Sequence, residues 1–453
     1  MKGFLKIKKN LLILLAITMS ISVQAQDLPQ INAAAPLKLT LKQVVEIAQN
    51  ESPVIRIADR EIELKRVVNS ETYANLLPKA SVVGTYSRTI KKQTMVMELG
   101  GQQQRIQMGS DNSYSGGIQI NLPLFVPALY KTINLTKADI ELAVEKARAS
   151  KIDLINQVVK AYYQLLLAQD SYVVLDKSYK NAEENYKNIN EKFKQGLVSE
   201  YDKIRAEVQM RSIKPNVVNA ENGVSLAKLQ LKVLMGIDPA IEIAVEGNLK
   251  DHERGMVARQ IDASALNLEL NSSLKQLDLS AEMLRKQLSI QQTNYLPTLS
   301  ATFNYMYVSL NNDFRIFHYR WFPYSTAGLT LNIPLFDATT SKKTKQTKIQ
   351  LQQLQDMRQD AQRQLTMLTQ SYLNNMDASI EQLISTKESI NQAEKGRMIA
   401  AKRYEVGAGT ILEINDSEIA LTQAELIYNQ SIYNYLIAKA DMYKTLGRES
   451  IAE

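Results

Sequence analysis

The sequence INLPLF at Ile120–Phe125 recurs as LNIPLF at Leu331–Phe336. Pro123 and Pro334 hold the same place in the two stretches and lie 211 residues apart. Similarity of a chain to itself at a fixed offset indicates an internal repeat. The 453 residues are therefore expected to form two copies of one unit, and the usual domain length of about 150 residues does not set the number of domains.

Two further landmarks support the duplication. LPKAS at Leu77–Ser81 resembles LPTLS at Leu296–Ser300 at an offset of 219 residues. FKQG at Phe193–Gly196 corresponds to YEVG at Tyr404–Gly407, again at an offset of 211 residues. The second copy has thus lost eight residues between its first two landmarks. We expect each copy to run helix, strand, loop, strand, long helix, turn, helix.

The second strand of each copy alternates aliphatic and polar side chains. The aliphatic members are Ile118, Ile120, Leu122 and Leu124 in the first copy and Leu329, Leu331, Ile333 and Leu335 in the second. Runs of about ten residues with this period are typical of tilted strands that cross an outer membrane, with one face toward lipid. A soluble hairpin with one buried face gives the same alternation.

The segments between the paired strands favour the membrane interpretation. In the first copy the segment is polar, with GGQQQ at 100–104. In the second it is rich in aromatic residues, which are typical of the boundary between membrane and water; they are Phe314, Phe317, Tyr319, Trp321, Phe322 and Tyr324. Because four strands cannot close a barrel and open sheet edges are not tolerated in lipid, the barrel must be shared between chains.

The long helices predict coiled-coil hairpins. Residues 128–195 have almost no Gly or Pro, and every seventh position from Val158 is large, with small residues such as Ala161 three positions later. The second copy repeats the seam more weakly. Each long helix ends at a glycine turn, where Ser199 and Thr410 are candidate caps of the next helix. Pro215 predicts a kink in the helix after the first turn.

The landmarks divide the chain into a signal peptide, two repeats and a connecting linker. These are expected at 1–25, 26–236, 263–453 and, for the linker, 237–262. In the first repeat we expect a strand pair at about 79–124, a long helix at 128–195, a tip at 196–199 and a helix at 200–234. In the second we expect a strand pair at about 298–335, a long helix at 338–406, a tip at 407–410 and a helix at 411–446.

Composition limits the classes of function. Residues 1–25 carry four lysines, no acid and an apolar run of 13 residues from Leu11 to Val23, which is typical of a cleaved secretory signal and too short for a spanning helix. Removing them lowers the formal net charge from +7 to +3, and no basic stripe of the kind nucleic-acid binders show is present. The absence of cysteine excludes disulfides and thiolate chemistry, and His252 and His318 lack the spacing of a metal site. We expect no cofactor.

The ordered set of signal, LP strand, PLF strand and glycine tip, all duplicated, resembles the TolC-like outer-membrane efflux proteins over essentially the whole mature chain. The resemblance implies an α+β membrane protein whose duplicated long-helix hairpins form a periplasmic tunnel. Four transmembrane strands per chain would contribute to a trimeric 12-stranded β-barrel in the outer membrane. It further implies a homotrimer that works with a periplasmic adaptor protein and an inner-membrane pump.

The resemblance also implies functional residues at the tips. Glu413 and Asp416 match the acidic ring of the family's periplasmic aperture, and Tyr404 and Asp202 match its gate hydrogen bond. An arginine that assists closure in well-known members is replaced by Gly409, so the lock is weaker or uses another residue, with Arg205 and Arg403 as candidates. The adaptor-docking tips are expected at Gly196, Leu197, Val198, Gly407, Ala408 and Gly409.

Other interpretations of the same residues stay open. Glu413 and Asp416 are also ordinary acids of a helix N-terminus, and Tyr404 also continues the heptad seam. Glycosidases also use a pair of carboxylates for catalysis. No pocket-forming sequence pattern accompanies this pair, so we expect the protein not to be an enzyme. A secreted periplasmic coiled-coil scaffold or adaptor without a barrel is the alternative function. Drug efflux, metal efflux and type I protein secretion share one architecture, and the sequence does not choose among them.

Overall fold

The computed structural model describes residues 37–99, 102–257, 267–315 and 318–449. The predicted signal peptide at 1–25 lies outside the described residues. Among the helices described, none combines the length and the apolar character needed to cross a membrane.

Long helices and a small set of strands make up the described chain. The helices are α1 (Leu41–Glu51), α2 (Pro53–Ala74), α3 (Pro127–Lys194), α4 (Glu200–Met235), α5 (Glu253–Val257), α6 (Ser272–Thr293), α7 (Ala338–Glu405) and α8 (Ile411–Thr445). The strands are β1 (Leu37–Leu39), β2 (Lys79–Arg88), β3 (Gln93–Leu99), β4 (Gln102–Met108), β5 (Asn112–Phe125), β6 (Ile243–Val245), β7 (Thr298–Asn311) and β8 (Phe322–Asn332).

Four strands form one antiparallel sheet in the order β2-β5-β7-β8. The register places Val82 opposite Ile118 and Ile118 opposite Tyr305, so the aliphatic positions of neighbouring strands share one face of the sheet. Leu329 on β8 belongs to the same face and is 70 % exposed in the single chain. The sheet therefore has an apolar face without cover and two unpaired edges, at β2 and β8.

Two helical hairpins, α3 with α4 and α7 with α8, extend from the sheet. The long helices α3 and α7 have 68 residues each, which corresponds to about 100 Å at ~1.5 Å per residue. The predicted seams are buried: Val158 and Leu165 are buried on α3, and Met376 and Leu383 on α7. The predicted fold of duplicated hairpins with a four-stranded sheet is confirmed.

The packing order of the helices is the same at both levels of the molecule. Near the sheet, α2 packs on α3, α3 on α6, and α6 on α7. Farther from it, α4 packs on α3, α3 on α8, and α8 on α7. Each level is thus a layer four helices wide, whose outer members are α2 or α4 on one side and α7 on the other.

The segment predicted as a linker, residues 237–262, contains ordered elements that contact the long helices. The level of these contacts is called the waist below. Strand β6 pairs in parallel with β1, and a 3-10 helix covers Leu249–His252. Asp170 on α3 accepts a hydrogen bond from the Leu249 N–H at 2.9 Å. Glu253 accepts from Lys387 Nζ at 2.5 Å and from the Tyr428 hydroxyl at 2.8 Å. Side-chain hydrogen bonds therefore tie this segment to α3, α7 and α8.

Two details differ from the sequence expectations. The polar segment of the first copy contains the two-stranded hairpin β3–β4 in place of a plain loop. β8 ends at Asn332, so Ile333 and Leu335 follow the strand, since Pro334 between them has no N–H to donate to a ladder. Helix α4 runs from Glu200 to Met235 with Pro215 inside it, and the kink at this proline stays a prediction.

Candidate functional site

The two hairpin tips are built alike. Gly196 and Gly407 adopt φ of 73° and 76°, the left-handed region in which glycine ends a helix without strain. The Leu197 N–H donates to Lys192 O at 3.0 Å, and the Ala408 N–H donates to Arg403 O at 2.8 Å. These bonds satisfy carbonyls that a helix end leaves without partners, and they fix the direction of each turn.

The helices that follow the tips are capped as predicted. The Ser199 hydroxyl accepts from the Asp202 N–H at 3.2 Å, and the Thr410 hydroxyl accepts from the Glu413 N–H at 3.3 Å. The Asp202 carboxylate in turn accepts from the Ser199 N–H at 3.4 Å, which completes a capping box, and also from the Ser199 hydroxyl at 2.8 Å.

A small apolar core joins the two tips. Ile189, Ala206 and Ile411 are buried together, and Val198 and Tyr404 pack against them. Leu197, in contrast, is 68 % exposed at the end of the first tip. Of the predicted docking residues, Leu197 thus presents an apolar surface to solvent, whereas Val198 holds the two hairpins together.

The second tip has a tight approach at Gly409. A β-carbon there would lie 3.0 Å from both Arg403 Cβ and Tyr404 N, closer than ordinary packing permits. Arg403 itself reaches over the turn: its Nη2 donates to Ala408 O at 3.1 Å, and its Nη1 lies 3.6 Å from Glu413 Oε2. The arginine of this tip therefore lies at the end of α7 and not at position 409.

Glu413 and Asp416 lie in the first turns of α8, one turn apart on one face. Glu413 is paired with Arg403, and Asp416 is exposed. The acidic ring stays a prediction, and the structure adds a cation, Arg403, beside the first of its two carboxylates.

The structure does not join Tyr404 and Asp202 by a hydrogen bond within the chain. The buried Tyr404 hydroxyl has no hydrogen-bond partner in the part of the chain that is described, and Asp202 is engaged by Ser199. Burial raises the pKa of the Tyr404 hydroxyl, and the nearby Asp202 carboxylate adds to that increase. The two groups are close enough to interact electrostatically, and the bond between them stays a prediction.

A polar contact between the hairpins was missed by sequence reasoning. Glu418 on α8 accepts from Asn181 Nδ2 of α3 at 2.9 Å and lies 3.7 Å from Arg397 Nη1 of α7. These residues line a groove of about 460 Å³ that reaches Tyr404. Their sequence signal is weak, because charged residues at these spacings are ordinary on any exposed helix.

The two histidines lie at different levels. His252 belongs to the 3-10 helix at the waist and makes an edge contact with Tyr163, with ring centroids 5.3 Å apart. His318 lies between β7 and β8.

Known proteins share both the repeat and the fold. Residues 44–237 and 264–448 each match the family described as outer membrane efflux protein, so the family pattern occurs once in each copy. The outer membrane protein TolC of Escherichia coli is 23 % identical over 428 residues, covering 90 % of this chain and 82 % of that protein. The CmeC outer membrane channel of Campylobacter jejuni has a TM-score of 0.71 at 18 % identity, covering 91 % and 87 % of the two chains. The open state of the Neisseria gonorrhoeae MtrE channel has a TM-score of 0.70 at 16 % identity, covering 90 % and 89 %. The chain therefore belongs to the outer membrane efflux protein family and is located in the outer membrane.

Proposed function

We propose that three copies of this chain form a passive duct from the periplasm to the exterior, gated at its tips and without enzymatic activity. In this proposal residues 1–25 are a signal peptide, 26–236 and 263–453 are the two repeats, and 237–262 is the segment at the waist. The duct would serve a tripartite efflux or type I secretion system in which an inner-membrane pump supplies the energy.

The observation that carries the proposal is that, throughout the described residues, the same two sides of the chain are left without a packing neighbour in both the sheet and the helices. One side presents the edge of β2 together with α2 and α4, and the other presents the edge of β8 together with α7. A head-to-tail contact between unlike sides closes into a ring when the rotation per copy divides a full turn. Three copies with four strands and four helices per level give twelve of each.

The uncovered face of the sheet supports a position in lipid. Ile118, Leu329 and Leu331 are between 46 % and 70 % exposed in the single chain although they share one face. A row of exposed aliphatic side chains is unfavourable in water and favourable against hydrocarbon. Outer-membrane lipid is therefore a partner of this face.

The tips support the two remaining parts of the proposal. Leu197 and the second turn at Gly407–Gly409, where Gly407 and Ala408 are exposed, offer a contact surface for a periplasmic adaptor. In the trimer, three copies of Glu413 and three of Asp416 would form two rings around the aperture. Charged rings of this kind attract cations in other channels.

The test is the conductance of the detergent-purified mature protein in a planar bilayer, with its mass measured in the same detergent. We expect a trimer that gives small, cation-selective currents. A monomer without conductance would favour the alternative, a secreted periplasmic scaffold, and would overturn the duct.

A further inference from the structure

The face of α2 that points away from the rest of the chain carries an ordered row of charges. α2 packs on α3 through Lys65, which lies 3.0 Å from Asp139, and through Asn69, which donates to Thr136 at 2.7 Å. At 3.6 residues per turn, the opposite face holds a different set of exposed residues. They are Arg56, Arg60, Glu63, Val67 and Glu71. This row is basic far from the sheet and acidic next to it.

The outer face of α7 carries the reverse order. α7 packs on α6 through Thr347, which accepts from Gln291 at 2.9 Å, and through Arg358, which donates to Asp278 at 2.6 Å. The opposite face is again exposed, and its residues are Lys342, Lys345, Ile349, Asp356 and Asp360. This row is basic next to the sheet and acidic farther away.

The charged ends of both rows lack partners inside the chain. Over the described ranges no ion pair involves Arg56, Arg60, Glu71, Lys342, Lys345 or Asp356. Each row is therefore available to a surface outside its own chain.

The duplication supplies the register in which the two rows would meet. Within the chain, the long helix of the first copy, α3, packs on the short helix of the second, α6. Arg148 Nη2 of α3 donates to Leu270 O, just before α6, at 2.6 Å. The corresponding contact of the second repeat would join α7 of one chain to α2 of the next. Adding 211 residues to Arg148 gives Gln359 on α7, and subtracting 219 residues from Leu270 gives Glu51, just before α2.

This register aligns opposite charges. α7 and α2 of the next copy run antiparallel, so that Asp356 is level with Val54 and Lys342 is level with Val68 of that copy. Arg56 is then within a turn of Asp356, and Glu71 is within a turn of Lys342. Parallel packing would place like charges together at both ends, which disfavours the wrong arrangement.

We infer that a second copy of this chain docks its α2 along α7, with its Glu71 facing Lys342, its Glu63 facing Lys345 and its Arg56 facing Asp356. The inference rests on the proposed trimeric duct and adds the residues that set its register. Between the charged ends, Leu64 of one copy and Ile349 of the other, 54 % and 47 % exposed in the single chain, lie within a turn of each other and provide apolar surface for the contact.

Charge reversal tests the pairing. Glu71→Lys and Lys342→Glu should each lower the dissociation temperature of the detergent-purified trimer by several degrees. Combining the two changes should restore most of that loss, because opposite charges face each other again. Asp59→Lys, on the same helix but beside the row, is the matched control and should have little effect. A combined variant less stable than either parent would overturn the pairing.

Cross-linking tests the register independently, and the absence of cysteine makes the result unambiguous. Oxidation of the Leu64→Cys, Ile349→Cys double variant should give covalent trimers, whereas Leu64→Cys with Met357→Cys, two turns away, should give few. An uncross-linked protein that is still trimeric by mass would overturn this register and leave the duct intact. A wild-type chain that is monomeric by mass would overturn both.

Discussion

The Arg403 guanidinium lies 3.6 Å from the Glu413 carboxylate across the second hairpin tip. A carboxylate paired with a cation attracts mobile cations less than an isolated one does, so this contact reduces the charge of any acidic ring at the aperture. Asp416, one turn away, is exposed and makes no ion pair among the described residues.

This geometry predicts opposite effects of two changes on cation block. Glu413→Gln with Asp416→Asn should weaken block by multivalent cations added on the periplasmic side, because the ring loses its charge. Arg403→Met should strengthen it, because Glu413 is released. Single-channel recordings measure both, with Glu394→Gln, an exposed acid of α7 away from the tip, as the control. Unchanged block in the first variant would exclude these residues from the aperture.

If a hydrogen bond between Tyr404 and Asp202 closes the gate, Tyr404→Phe should increase the conductance. Within the chain the Tyr404 hydroxyl is buried without a partner in the described residues, so its removal should leave the stability of the folded chain nearly unchanged. If the hydroxyl bonds Asp202 in the closed trimer, the variant should open more often. Tyr201→Phe, at a position 63 % exposed, is the control. Conductance equal to wild type would leave Tyr404 as a packing residue of the tip core.

The first tip predicts a separation between docking and folding. Leu197→Asp should abolish efflux in cells. The trimer should still be made in normal amount, because the exposed side chain of Leu197 contributes little to packing within the chain. Val198→Asp should lower the yield of trimer, because Val198 packs on the core shared by the two tips. Efflux assays and the amount of trimer in outer-membrane fractions distinguish the two. Normal efflux with Leu197→Asp would remove this residue from the adaptor contact.

The sheet predicts a strong difference between two adjacent glycines of β5. A β-carbon at Gly117 would lie 2.1 Å from Tyr305 O, so Gly117→Ala requires β5 and β7 to move apart. Gly116→Ala is the matched control, because its nearest neighbour would be Val83 O at 3.8 Å. We expect Gly117→Ala to lower the yield of inserted trimer severely and Gly116→Ala to leave it near wild type, as measured in outer-membrane fractions. Equal yields would show that the strands tolerate this separation.

Sequence patterns predicted the elements better than the contacts between them. The repeat of Pro123 at Pro334 determined the order of strands and helices, and the heptad from Val158 identified the buried seam. Such periodicity specifies which face of a helix is buried but not which residue of a neighbour lies opposite. Contacts that depend on register, such as Arg397 with Glu418, were therefore not predicted. The β3–β4 hairpin was missed although a Gly-Gly pair between extended runs is a hairpin signal.

The waist predicts a loss of stability that depends on pH. Hydrogen bonds from Lys387 and Tyr428 lower the pKa of Glu253. A carboxyl whose pKa is lowered by folding stabilises the protein above its unfolded pKa, and this stabilisation is lost as the pH falls through the folded pKa. Glu253→Gln should therefore lower the melting temperature of the purified trimer at pH 7, and the difference from wild type should shrink at pH values below the usual range of a glutamate.

Circular dichroism at pH 7 and in acid measures this difference, with Glu242→Gln, an exposed acid of the same segment without an ion pair among the described residues, as the control. A difference between Glu253→Gln and wild type that persists undiminished in acid would show that packing, and not charge, explains the role of Glu253. A difference that vanishes would establish that the charge of Glu253 holds the waist segment to α7 and α8, the hairpin that bears the second tip.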